Sequence, residues 1–166
     1  MQSETRTDKS GFRFMLEQGG YRFSSSQSFF EIKKAHTSWY NYVLSDPLYD
    51  LRESIEYILK HTGDEPNICL MGSKAQSRLF HCPDVLDWYK SILKHRSLSP
   101  RDVVEEILGF KGCGILEWGN YADTMKEVEL ENKGLNVSNM VLIGRSETIL
   151  NVVLHAAYLL RVDKDE

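Results

Sequence analysis

Three short apolar runs stand out in the C-terminal part of the chain, and a glycine and polar residues follow each at once. The runs are ICLMGS, GILEWGN and VLIGRS. Their shortness and the flanking glycine favour strands over pieces of helix. Because the runs are apolar throughout, they predict strands that are covered on both faces of a sheet.

Helical spacing of apolar residues predicts the other elements. Four segments have the periodicity of amphipathic helices: 27–44, 47–63, 83–95 and 99–108. The second begins at Asp46-Pro47 and the fourth at Ser99-Pro100, a capping residue followed by proline in each case. The last segment, SETILNVVLHAAYLLRV, is apolar nearly all round and predicts a buried helix.

The N-terminal region has a different pattern. Residues 1–10 are polar after Met1 and predict a disordered tail. In GFRFMLEQGGYRFSSS, aromatic residues alternate with polar ones around a glycine pair, which is typical of a β-hairpin. The same alternation also fits an extended arm that packs on the domain, or a surface that stacks nucleic-acid bases.

The order of elements predicts an α/β fold, because strands that alternate with helices pair in parallel through crossovers. We expect a small, mainly parallel sheet of about three strands flanked by helices. One compact domain would span 11–166, with a hairpin or extended arm and two helices in 11–63 and the alternating core in 64–166. An all-α bundle is the alternative.

Composition and charge narrow the class of protein. The chain has 166 residues, 42% of them apolar, and a net charge of −4 without a visible basic stripe, so we expect a folded protein that does not bind nucleic acid. Three cysteines without a CxxC pair favour a reducing compartment. No apolar run approaches the ~20 residues that cross a bilayer, so we expect a soluble, cytoplasmic protein without membrane contact.

The three strand–glycine junctions suggest an anion site. Carboxyl ends of parallel strands meet at one edge of a sheet, where helix N-termini offer free N–H groups. Lys74 and Arg145 would add positive charge, although neither GxxxxGK[ST] nor GxGxxG is present. The predicted ligand-binding residues are Gly72, Ser73, Lys74, Gly119, Asn120, Gly144, Arg145, Ser146 and Thr148. Alternatively, the glycines only end strands and Ser146 caps a helix.

Other chemistry has less support. Glu117 and Asp123 are weak candidates for general bases at a strand end, and a helix cap or a surface ion pair is the favoured interpretation of both. The adjacent His81-Cys82 pair lacks the spacing of zinc ligands, so neither a metal nor another cofactor is predicted.

Two functional classes remain: the first below is the predicted function, because of the three strand–glycine junctions, and the second is the alternative. In the first, the domain binds an anionic or phosphorylated small ligand, with or without catalysis. In the second, it is a non-catalytic interaction domain whose aromatic-rich N-terminal region contacts a partner protein or a second copy of the chain.

Overall fold

The structure is a computed structural model that describes residues 22–23, 29–92, 103–109, 114–117, 137–146 and 153–165. Strands and helices occur in the order β1 (Arg22–Phe23), β2 (Phe29–Ala35), α1 (Pro47–Thr62), β3 (Ile68–Met71), α2 (Ser73–Phe80), α3 (Pro83–Ile92), β4 (Gly114–Glu117), β5 (Met140–Ser146) and β6 (Val153–Asp165). A π-helical turn covers Val103–Ile107, and a 3-10 turn covers Val137–Asn139.

The six strands of the described ranges form one mixed sheet. Its order is β4, β3, β5, β6, and both β1 and β2 pair with the remaining edge of β6. β1 pairs with the first residues of β6, and β2 continues along the same edge from Ala156 onwards. β5 runs antiparallel to both of its neighbours, whereas all the other pairings are parallel.

The α/β class is confirmed, and the all-α alternative is wrong for the described ranges. All three apolar runs form strands, and Leu70 lies opposite both Leu116 on β4 and Leu142 on β5. The expectation of a mainly parallel three-stranded sheet is not confirmed, because β5 is reversed. Only six residues connect β5 to β6, and a parallel crossover needs about a dozen or more.

The predicted C-terminal helix is wrong, because Val153–Asp165 forms the long strand β6. Two adjacent residues show the cause: Tyr158 belongs to the core on one face of the sheet and Leu159 to the core on the other. A strand that is buried on both faces is apolar at nearly every position, so its sequence resembles that of a buried helix.

The predicted helix over 27–44 is also wrong. Phe29–Ala35 forms β2, in which Phe30 is buried and the preceding Phe29 is exposed, and turns follow as far as α1. Pairing with β6 outweighs the helical spacing of the apolar residues here. The predicted helix at 47–63 is confirmed as α1. The one predicted at 83–95 is confirmed over Pro83–Ile92 as α3, and 93–95 lie outside the described residues. The described part of the fourth contains the π-helical turn.

The core has two parts, one on each face of the sheet. On one face, Leu51, Ile55 and Ile58 of α1 pack on residues of β3, β5 and β6. On the other, Phe23 and Phe30 join a cluster with the leucines of β3, β5 and β6. Each large apolar side chain buried in this way contributes about 1.5–3 kcal/mol to stability.

Some predictions lie outside the described residues or stay untested. The tail 1–10 and the first strand of the predicted hairpin lie outside them, while Arg22–Phe23 forms β1 against β6. The single-domain boundary stays a prediction. No helix in the described ranges is both long and apolar enough to cross a membrane.

Candidate functional site: an aromatic surface around Arg78

The described residues of the predicted anion site lie at two opposite ends of the sheet. In the β3–β5 pair, Met71 faces Val141 and Ile68 faces Gly144. The segment 72–74 therefore follows the carboxyl end of β3, whereas 144–146 lies beside its beginning. The predicted convergence of these two junctions is wrong, because β5 is antiparallel to β3.

The other candidates from the sequence are only partly placed. Glu117 pairs with Met71 at the end of β4, which is the end of the sheet where Gly72 lies. The remaining candidates lie outside the described residues: Gly119, Asn120, Asp123 and Thr148.

The Gly72 junction is closed by the protein's own backbone. The Gly72 N–H donates to the Met140 carbonyl at 2.9 Å. A Cβ on Gly72 would lie 2.1 Å from the Val137 carbonyl oxygen and 2.5 Å from that of Ser138. Glycine is needed here for close approach of two backbone segments. Because these neighbours are hydrogen-bond acceptors, the contact favours chain packing over the binding of a phosphate.

The opposite end is held by structural hydrogen bonds. The Asn67 side-chain amide donates to the Ser146 carbonyl at 2.7 Å and accepts from the Ser146 N–H at 2.9 Å. Arg145 Nη1 donates to the Glu65 carbonyl at 3.0 Å. The Ser146 hydroxyl accepts from the Val153 N–H at 3.0 Å, so it links β5 to β6 instead of capping the predicted helix.

A different surface collects exposed aromatic and aliphatic side chains. On the connection between β2 and α1, Tyr40 and Tyr42 are 38% and 41% exposed, Val43 is 89% exposed and Leu44 is 70% exposed. We call these four residues, together with Arg78 of α2, the aromatic surface. Apolar side chains this exposed and adjacent in the chain are typical of contact sites for other molecules.

The connection is anchored by Trp39, which is buried. Its N–H donates to the Val162 carbonyl on β6 at 2.9 Å, and its indole Nε1–H donates to Asp50 Oδ2 on α1 at 2.8 Å. Burial raises the pKa of the Asp50 carboxyl above its ordinary value of 3.8, and the hydrogen bond from Trp39 opposes part of that rise. Trp39 thus fixes the start of the connection to the sheet and to α1.

Asn41 shapes the exposed turn that follows. Its side-chain oxygen accepts from the Val43 N–H at 3.2 Å and from the Leu44 N–H at 3.1 Å. The Ser45 N–H donates to the Asn41 carbonyl at 3.0 Å. Asparagine is favoured in turns because its side chain replaces backbone partners in this way. The turn therefore presents Val43 and Leu44 to solvent with their backbone N–H groups satisfied.

Arg78 lies against both tyrosines. Its Cζ is 4.1 Å from the ring centroid of Tyr40 and 5.7 Å from that of Tyr42, and Nη1 donates to the Tyr42 hydroxyl. The Tyr40 hydroxyl donates to Asn139 Oδ1 at 2.6 Å, which fixes that ring to the 3-10 turn. Within the described ranges, no carboxylate forms a salt bridge with Arg78, and its Nε is buried without an acceptor.

The surroundings of Arg78 add positive charge and a histidine. Lys74 is exposed one helical turn before Arg78, so the two cations share a face of α2. The His81 ring, just after α2, lies 6.1 Å from the Tyr42 ring, and its Nδ1 is 2.6 Å from the Ser77 carbonyl oxygen.

Neither a reactive cysteine nor a metal site is supported among the described residues. Burial raises the pKa of the Cys82 thiol, which disfavours the reactive thiolate. Among the residues that the structure describes, no group of three or more His, Cys, Asp or Glu side chains could hold a metal ion.

Sequence reasoning missed Arg78 and Asn139. The spacing of Lys74 and Arg78 by four residues was the available signal, since it places both on one face of the predicted helix. The contact with Tyr40 joins residues 38 positions apart and depends on the fold. The helical spacing of apolar residues in 27–44 predicts that Tyr42 and Val43 lie on the buried face of a helix, but the structure exposes both.

Comparisons with known proteins add the following. No protein-family model matches the chain, and no curated protein matches it. Among solved structures, a phage-related protein from Bordetella bronchiseptica RB50 aligns with 80% of this chain at 16% identity and a TM-score of 0.49. The chain spans 39% of the length of that protein. A likeness at this level supports no statement about function.

Proposed function

We propose that this protein is a non-catalytic interaction domain that binds a segment of a partner protein on the aromatic surface. The observation that carries the proposal is the exposure of Val43 and Leu44, at 89% and 70%, in a turn that Asn41 holds in place. Tyr42 directly precedes this pair, and Arg78 contacts Tyr42. Tyrosine and arginine are among the residue types that dominate binding energy at protein interfaces.

The energetics favour binding at this turn. Covering Val43 and Leu44 would contribute about 1.5–3 kcal/mol for each side chain. Trp39 and Asn41 already order the backbone of the turn, so a partner would not have to supply that ordering on binding. Binding here would therefore lose less free energy to ordering of the backbone than binding at a flexible loop.

Binding of an anionic small ligand is the second candidate function. The observation that favours it is Arg78, a cation without a carboxylate partner among the described residues, one turn from Lys74. A ligand of this kind would contact α2 and the tyrosines. The end of the sheet at Gly144–Ser146 is a weaker candidate for this ligand, because the side chains of Arg145 and Ser146 already form hydrogen bonds with backbone groups there.

Selection from a random peptide library on the immobilised protein tests the first candidate. Binders are then measured by calorimetry against wild type and a Val43→Ser/Leu44→Ser variant. Leu59→Ser is the matched control, because Leu59 is an apolar residue of α1 that is 40% exposed and lies outside the aromatic surface. We expect the double variant to weaken binding by about tenfold or more and the control to leave it unchanged.

Two outcomes would overturn the proposal. One is a set of selected peptides that bind the double variant as tightly as wild type. The other is a failure to select any binder, combined with stabilisation of the protein by nucleotides or sugar phosphates in a thermal-shift screen. The second result would favour the anionic small ligand.

A further inference from the structure

We propose that Arg78 selects partner segments that carry an aspartate or glutamate beside their apolar residues, by binding the carboxylate directly. This inference rests on the proposed function and names the chemistry of the partner. It follows from the position of a guanidinium against two exposed tyrosines, the second of which directly precedes Val43 and Leu44 in the chain.

The geometry leaves N–H donors of the guanidinium without a described acceptor. Tyr40 covers one face of the group, with 4.1 Å between Cζ and the ring centroid, and Nη1 donates to the Tyr42 hydroxyl. A guanidinium has five N–H donors in its plane, and stacking on a ring leaves the edges of that plane for acceptors. Arg78 is half-buried, so a hydrogen bond formed there is less screened than one in open solvent.

The hydrogen-bond balance favours an incoming acceptor. Arg78 Nε is buried and has no acceptor, which costs free energy in the unbound protein. A carboxylate that reaches the Nε edge would satisfy this donor once the neighbouring side chains shift. Two parallel N–H···O bonds between arginine and a carboxylate are among the strong interactions of proteins.

The positive charge around Arg78 also favours an acidic partner. Lys74 adds a second positive charge on the same face of α2, and no salt bridge with a described carboxylate neutralises either residue. A carboxylate is the proposed partner because its two oxygens match the paired N–H donors along one edge of a guanidinium.

The experiment uses peptides selected on the aromatic surface. Each is synthesised in three forms: with its acidic residue, with the corresponding amide, and with phosphoserine at that position. Affinities are measured for wild type, Arg78→Gln and Arg78→Lys, and Lys60→Gln serves as a control that removes a positive charge near the other end of α1.

We expect the amide form to bind wild type about tenfold or more weakly than the acidic form. With Arg78→Gln, the two forms should differ by less than about twofold, which shows that the carboxylate acts through this side chain. Arg78→Lys should retain only part of the preference, because lysine lacks the planar fork. Lys60→Gln should behave as wild type.

Each contrary result has a distinct meaning. If Val43→Ser/Leu44→Ser abolishes binding but the acidic and amide forms bind equally, the role of Arg78 is wrong and the proposed function stands. If no peptide depends on Val43 and Leu44, both proposals fail. Tighter binding of the phosphoserine form would overturn the carboxylate assignment. The difference in affinity between the acidic and amide forms is measured on wild type, so it tests the carboxylate preference even if an Arg78 variant does not fold.

Discussion

The Gly72 junction and the aromatic surface both involve α2, and they differ in what contacts them. At the first residue before the helix, backbone carbonyls of Val137 and Ser138 occupy the space where a side chain would lie. In the last turn of the helix, Arg78 lies against two exposed tyrosines without a described carboxylate partner. A glycine after a strand can thus mark close packing of two backbone segments. The side chains that are accessible to a partner lie at the other end of the same helix.

This difference has consequences for stability and binding. Substitutions at Gly72 should destabilise the fold, because a side chain there would displace the backbone of Val137 and Ser138. Changes on the aromatic surface should leave the fold intact and alter only binding.

Gly72→Ala should lower the free energy of unfolding by about 3 kcal/mol, because the added Cβ overlaps the Val137 carbonyl oxygen. Gly63→Ala is the matched control. Gly63 has φ 77° and nothing within 4 Å of an added Cβ, so only backbone strain of about 1 kcal/mol applies. Urea denaturation measures both. Equal losses for the two variants would show that the Gly72 junction is not closely packed.

Asp50→Ala should lower the free energy of unfolding by about 2 kcal/mol, because the buried indole N–H of Trp39 loses its acceptor. Asp50→Asn keeps an oxygen at that position and should lose clearly less. Chemical denaturation with tryptophan fluorescence would follow both variants. If alanine and asparagine have the same effect, the hydrogen bond does not anchor the connection to α1.

The stability of wild type should also depend on pH through Asp50. Because burial raises the pKa of this carboxyl in the folded state, the folded protein binds its proton more tightly than the unfolded chain. Its contribution to stability is present below about pH 3.8, the ordinary pKa, and is lost as pH rises through the folded-state pKa. The free energy of unfolding of wild type minus that of Asp50→Asn should therefore increase on acidification. A flat or opposite trend would contradict the assignment.

The smallest change in stability is expected for Val43→Ser and Leu44→Ser, at under about 0.5 kcal/mol each, since both side chains are mostly exposed. Leu51→Ser, at a buried position of α1, should cost several times more. Thermal unfolding of the three variants tests the contrast. A large loss from Val43→Ser or Leu44→Ser would mean that these residues support the fold and are not free for a partner.

Part of the fold was predictable because the local signals are strong. Asp46-Pro47 and Gly63 mark the two ends of α1: the Tyr49 N–H donates to Asp46, and the Gly63 N–H donates to the Leu59 carbonyl. The three apolar runs correctly predict strands. Their direction was not predictable from the runs themselves, and the reversal of β5 separates Gly144 from Gly72.

The site was less predictable, because its parts meet only in the folded chain. The aromatic density before residue 50 indicated an interaction region, but a helical period suggested that Tyr42 and Val43 were core. In the structure, β2 ends at Ala35 and Trp39 takes the buried position, so the residues after it are left on the outside. Arg78 joins them through the packing of α2, which no short-range pattern encodes.

Amide hydrogen exchange with and without a selected acidic peptide tests the central claim most directly. We predict slower exchange on binding in residues 40–44 and in α2, with no change at 65–67 and 144–146. The Asn41-bonded amides of Val43 and Leu44 should report the effect most clearly. Protection at 65–67 and 144–146, with residues 40–44 unchanged, would contradict the account and place binding at the Arg145 end of the sheet.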